Sequence, residues 1–114
     1  MIKLMVSNQF GLKENILKSI IKEILKYVKV KRIYLFGSRV KGNFKKNSDI
    51  DIAIETFDDS QDILFLNELL NEDIDTLLKI DIVHLNKTND QLKREILNHG
   101  IIIYQNEKDF LIHK

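Results

Sequence analysis

Residues 35–54 read LFGSRVKGNFKKNSDIDIAI, and the way this stretch divides decides the fold. Its last part alternates, with Asp49, Ile50, Asp51, Ile52, Ala53 and Ile54 following Ser48. Successive side chains of an extended chain point to opposite faces, so the two aspartates share one face and the three isoleucines share the other. A strand over 48–55 therefore offers one face to a core and one face to charge. Immediately upstream, 30–36 is rich in β-branched and aromatic residues and stops at Gly37-Ser38, the pattern of a strand that gives way to a turn. Residues 39–47 contain Gly42 and Asn43 and lack apolar periodicity, which predicts a short helical turn and then a loop.

Outward from this centre the elements alternate. Leu12, Ile16, Leu17, Ile20, Ile21, Ile24, Leu25 and Val28 recur at helical spacing and predict an amphipathic helix over 11–28. Ile63, Leu64, Leu66, Leu69 and Leu70 predict a second helix over 60–72, and 77–85 returns to strand character, with Ile80 and Ile82 on one face and Asp81 on the other. A helix over 89–98 ends at Gly100, and 101–104 is a short apolar strand. The whole reads as one α/β unit, a single domain over 1–114 with its core at about 11–104 and a tail at 105–114 that serves as a free end or a partner contact.

Composition sets the frame. A chain of 114 residues with 44% hydrophobic and 31% charged content is ordinary for a soluble domain. No apolar run approaches the roughly 20 residues needed to cross a bilayer, and the first fifteen residues lack the pattern of a signal peptide, so a cytoplasmic location is the default expectation. With no cysteine, a metal has only carboxylate or imidazole ligands available. The net charge of +1 conceals an asymmetry: residues 1–46 hold twelve Lys/Arg against two acids, whereas 47–78 hold ten acids and no Lys/Arg. Most of these charges suit solvated faces, but a basic rim beside an acidic cluster also suits a nucleotide with a cation.

The chemistry converges on three aspartates. Asp49 and Asp51 project from one strand, and Asp81 joins them if the strand that carries it is a neighbour. Carboxylates gathered in this way repel one another, and a divalent cation relieves the repulsion. Oxygen-only ligands with positions left for water and phosphate suit Mg2+, as one ion or two. At Gly37-Ser38, free backbone N–H groups and the serine hydroxyl can meet phosphate oxygens, and Arg39, foremost among the nearby cations, can neutralise a leaving pyrophosphate. Neither G-x-x-x-x-G-K-[ST] nor G-x-G-x-x-G occurs, which disfavours the folds that carry them.

The G-S, ten-residue spacer, D-x-D arrangement resembles the signature of the DNA polymerase β nucleotidyltransferase superfamily, and most of all its minimal nucleotidyltransferases. The FGSRxxG form, the SDIDIAI strand and the lone aspartate of KIDIVHL carry the resemblance, which spans about residues 30–104. It implies a mixed sheet with helices mainly on one face. It also implies Asp49, Asp51 and Asp81 as catalytic, metal-binding carboxylates, with Asp81 the base for the incoming hydroxyl, and Gly37 and Ser38 on the triphosphate of ATP. Larger members carry added recognition domains for which this chain has no room, so the acceptor comes from a partner. Many minimal members resemble the antitoxin half of a two-gene system, transferring AMP to a tyrosine of a HEPN-domain toxin RNase, an arrangement that allows a hetero-oligomer.

Blander readings compete at several positions. Ser38 is also a common helix cap, and His84, His99 and His113 lack metal-site spacing and read as surface or packed histidines. Tyr27, Tyr34 and Tyr104 fit core or interface, and Asp58, Asp59 and Asp62 fit solvent. Two alternatives to catalysis stand beside the main reading. One is an antitoxin that neutralises its partner by binding, with the C-terminal strand and the DFL segment as its surface, its nucleotide site a sensor or lost. The other, direct nucleic-acid binding through the basic half, is disfavoured because those lysines alternate with a core stripe on a helix.

Overall fold

The computed structural model describes residues 7–106. After a 3-10 turn at Ser7–Phe10 the elements are α1 (Glu14–Tyr27), β1 (Val30–Phe36), α2 (Ser38–Lys41), β2 (Ile50–Thr56), α3 (Leu66–Asp73), β3 (Ile80–His84), a 3-10 turn at Leu85–Lys87, α4 (Asp90–His99) and β4 (Ile101–Gln105). The four strands form one mixed sheet in the order β3-β2-β1-β4. Strand β1 is antiparallel to both β2 and β4, whereas β2 and β3 are parallel and joined across α3.

The alternation in 49–54 gives the sheet two unlike faces. Ile50, Ile52 and Ile54, with Ile33, Leu35, Ile80 and Ile82, pack against Leu17, Ile20 and Ile24 of α1 and Leu66 and Leu70 of α3. Each fully buried side chain of this size contributes about 1.5–3 kcal/mol. On the opposite face Tyr34, Phe36 and Ala53 meet Ile96 and Leu92 of α4, and Asp51 and Asp81 share that face with Arg32, Glu55 and Val83. The helices thus lie mainly on one side, as expected of the fold, with α4 covering only part of the other.

The boundaries depart from sequence expectation where side chains take over local turns. Helix α3 begins at Leu66 rather than near 60 because Asp58 Oδ1 accepts from the Ser60 N–H at 2.8 Å and Asp62 Oδ1 accepts from the Leu64 N–H at 3.2 Å. Such Asx turns compete with helix. Gln61 then holds the extended chain to Lys29 by accepting from its N–H at 3.0 Å and donating to its C=O at 3.2 Å. Strand β3 begins at Ile80, and Leu77 is fully exposed. Gly100 follows α4 with φ −67°, so its role is room rather than a left-handed turn: a Cβ there would stand 2.5 Å from the Ile96 carbonyl oxygen.

The outer edge of β3 is closed by side chains. Asn71 accepts from the Ile80 N–H at 2.8 Å and donates to its C=O at 2.8 Å; Asn67 accepts from the Ile82 N–H at 2.7 Å and donates to its C=O at 3.3 Å. Two asparagines one helical turn apart thereby mimic a neighbouring strand. Asn86 does the same for Thr56 at the end of β2, accepting from its N–H and donating to its C=O, both at 3.0 Å. The tail from 107 onward, including the DFL segment and His113, lies outside the described residues.

Candidate functional site

Parallel pairing of β2 with β3 sets Asp51 directly beside Asp81, and antiparallel pairing with β1 sets Asp51 beside Phe36, the last residue before Gly37. All of this happens at one end of the sheet, where β1 stops and β2 and β3 start. Asp51 and Asp81 are half-buried; Asp49 precedes β2 and is exposed rather than held on the strand. Gly37 adopts φ +82°, and a Cβ at that position would stand 2.2 Å from Asp51 Oδ2. Glycine is therefore required twice over, by backbone conformation and by the carboxylate lying against it.

The carboxyl group of Asp51 is pushed up to about 6, first by burial and then by the charges of Asp81 and Asp49, with Arg39 and Lys79 acting in the opposite sense. Burial of the carboxyl group is the larger cause, and the neighbouring negative charges add to it. The donor set is all oxygen, as a hard cation requires. Among the described residues no set of three acidic or imidazole side chains is close enough, as they stand, to hold an ion. The Asp51–Asp81 pair is in register, however, and exposed Asp49 lies just outside the strand, two residues before Asp51.

Helix α2 starts at Ser38 with Gly37 as its cap, and the Val40 and Lys41 N–H groups both donate to the Gly37 carbonyl at 3.1 Å. The Ser38 side chain, half-buried, makes no hydrogen bond to another described residue. Lys41 bridges to Glu95 of α4 at 3.3 Å, tying the turn to the helix on the aspartate face.

Arg39 is not where the sequence reading put it. It is 1% exposed, and its guanidinium faces inward: Nη1 donates to the Phe10 and Gly11 carbonyls at 2.9 and 3.2 Å, and Nη2 donates to those of Ser48 and Lys46 at 2.7 and 3.4 Å. Burial pulls its pKa down while Asp51 and Asp49 push it back up, and a guanidinium keeps its charge in either case. Enclosed in this way it is not presented to a phosphate. Sequence reasoning chose it because a cation beside a G-S turn fits an anion, and nothing in the motif reveals the carbonyl cage.

Other readings are settled by packing. His84 is buried against the Thr56 hydroxyl, with Nε2 2.9 Å from Oγ1, and burial lowers its pKa. Tyr34 is buried and its hydroxyl donates to Glu55 at 3.2 Å; burial and the Glu55 charge raise its pKa to about 12. Tyr27 is 52% exposed and meets Phe65 edge-on, so it is not core. A concavity lined by Gln61, Leu64, Ile82, His84, Lys87 and Thr88 includes none of Gly37, Ser38, Asp49, Asp51 or Asp81. No described helix is long and apolar enough to cross a membrane.

Comparison with known proteins agrees with this geometry. The model of the polymerase beta nucleotidyltransferase family matches residues 18–109. MJ1215 of Methanocaldococcus jannaschii, provisionally named a protein adenylyltransferase, is 35% identical over 75 residues, which cover 60% of this chain and 87% of that protein. A toxin–antitoxin structure with AMP-PNP superposes with a TM-score of 0.66 at 29% identity, covering 88% of this chain and 80% of the matched one. The complex of tri-AMPylated Shewanella oneidensis HEPN toxin with its MNT antitoxin gives a TM-score of 0.66 at 25% identity, covering 89% and 79%. The G-S turn, the paired strands and the length of the match place this chain in the polymerase β nucleotidyltransferase family.

Proposed function

We propose that this protein transfers AMP from ATP to a tyrosine hydroxyl of a cognate HEPN-domain toxin. The observation that carries the reading is the in-register Asp51–Asp81 pair, with Asp51 lying against Gly37 and Asp49 two residues before it. In the reaction the tyrosine oxygen bonds to the α-phosphorus, the bond from that phosphorus to the oxygen bridging to the β-phosphate breaks, and pyrophosphate leaves. Gly37 and Ser38 hold the triphosphate, with the glycine allowing backbone approach and the serine hydroxyl donating to a phosphate oxygen. Asp81 accepts the tyrosine proton at a carboxylate oxygen, while Asp49 and Asp51 orient the nucleotide. Magnesium, held by Asp49, Asp51 and Asp81, would neutralise the triphosphate and acidify the attacking hydroxyl. A second carboxylate beside Asp51 suits such a site and is a poor design for stability alone.

The test is label transfer from α-labelled and, separately, γ-labelled ATP with magnesium, with the toxin as acceptor. The expected result is transfer of the α label alone, reduced at least about 10³-fold in the Asp49→Asn/Asp51→Asn double variant, or about 4 kcal/mol of transition-state stabilisation. A stable, neutralised complex with no label transferred would replace this reading with an antitoxin that acts by occlusion.

A further inference from the structure

We propose that Arg39 is a positioning residue: its buried guanidinium clamps the 43–48 loop to the N-terminal turn and thereby fixes where Asp49 and Asp51 stand. The inference rests on the nucleotidyl-transfer reading and gives Arg39 a part in it without contact to the nucleotide. Ser48, whose carbonyl takes the shortest of the four bonds at 2.7 Å, is the residue immediately before Asp49. The same loop is closed on itself, with the Lys45 N–H donating to Ser48 Oγ at 2.8 Å and the Ser48 N–H donating to the Lys45 carbonyl at 3.0 Å. Phe44 folds its ring over the guanidinium, 5.1 Å from Cζ to the ring centre. On the other side are the Phe10 and Gly11 carbonyls.

Gly11 shows how little slack the arrangement has. It sits at φ +68°, and a Cβ there would come within 2.4 Å of the Phe44 ring and 2.9 Å of Arg39 Nη1. The clamp also joins the two halves of the signature. Arg39 follows Ser38 directly, so the residue that anchors the loop before Asp49 is part of the turn that carries the G-S pair. Lysine cannot substitute, because one ammonium offers neither the planar fork for four carbonyls nor a flat face for the ring. The Nε of Arg39 is buried with no partner among the described residues, a cost of about 1–3 kcal/mol that stability alone gives no reason to retain.

The test compares Arg39→Lys and Gly11→Ala with the parent in the full chain. Three readouts are taken: hydrogen exchange of the 43–49 amides, Mn2+ affinity by electron paramagnetic resonance, and transfer kinetics. Both variants are expected to raise exchange in 43–49 at least tenfold while leaving the strand amides unchanged, and to weaken Mn2+ binding at least fivefold. They should also lower kcat at least tenfold with KM for ATP within twofold. A raised KM with kcat intact would make Arg39 a phosphate ligand and overturn the proposal. So would unaltered Mn2+ affinity and kcat beside a loosened loop. If Arg39→Lys fails to fold, Gly11→Ala decides, since it changes no charge and no donor. A parent protein that transfers nothing to any acceptor would sink the functional reading, while exchange and Mn2+ affinity would still judge the clamp.

Discussion

The two faces of the central sheet are built from alternate residues of the same segments and obey opposite rules. On the face toward α1 and α3, Ile50, Ile52 and Ile54 are fully buried among apolar neighbours and every contact favours the fold. On the reverse face, one residue out of step, Asp51 stands against Asp81 with its carboxyl group raised to about 6, and the fold holds the pair against their repulsion. A strand's period of two lets a single segment serve stability and chemistry without compromise between them. The difference teaches that damage to one face should leave the other readable, and three experiments press on that separation.

The largest effect belongs to the reactive face. Gly37→Ala adds one methyl group, which meets Asp51 Oδ2 and forces an unfavourable φ. Transfer is expected to fall by about 10³-fold, roughly 4 kcal/mol, in the labelled-ATP assay, with no charge removed. Next is Ile52→Ala on the apolar face, which should cost about 2–5 kcal/mol in urea unfolding, with transfer by the folded fraction little changed. An equal loss of specific activity there would show that the two faces are not independent.

The smallest effect has a sign that changes with pH. Because the folded protein raises the Asp51 pKa above its ordinary value near 3.8, the folded state binds that proton more tightly than the unfolded chain does. The group's contribution to stability is therefore present below about pH 4 and is lost as pH rises through about 6. Asp51→Asn, measured without divalent ions, should melt higher than the parent at pH 8 by several degrees, about 1 kcal/mol after allowing for solvent screening, and be indistinguishable at pH 4. Added Mg2+ should narrow the gap at pH 8 by stabilising the parent alone.

How much of this was legible beforehand follows the range of each interaction. The 49–54 alternation and the G-S turn are local patterns, so the strand and its two faces could be read directly, whereas Asp49, expected on the strand, lies just before it. The pairing of Asp81 with Asp51 is long-range, so strand alternation marked that aspartate but left its neighbour conditional on the strand order. Arg39 was misjudged because its partners are backbone carbonyls at Phe10, Gly11, Lys46 and Ser48, atoms that every residue possesses and no sequence pattern marks. The late start of α3 was hidden for a related reason, since Asp58 and Asp62 look like merely solvated acids until their turns form. Asn67 and Asn71 carried a faint signal, two amides four apart on a helix just before a strand, that apolar periodicity overlooked.

Those two asparagines act as a ruler. Four residues of helix rise about 6 Å and two residues of strand about 6.6 Å, so amides at 67 and 71 can engage Ile82 and Ile80 together. Helix α3 thereby supports, from the outer edge, the register that β3 takes from its pairing with β2, and with it the alignment of Asp81 with Asp51. A graft of Asp51 and Asp81 onto another scaffold would have to supply a similar closure for the edge strand, or leave the strand that carries the second carboxylate open on its outer side.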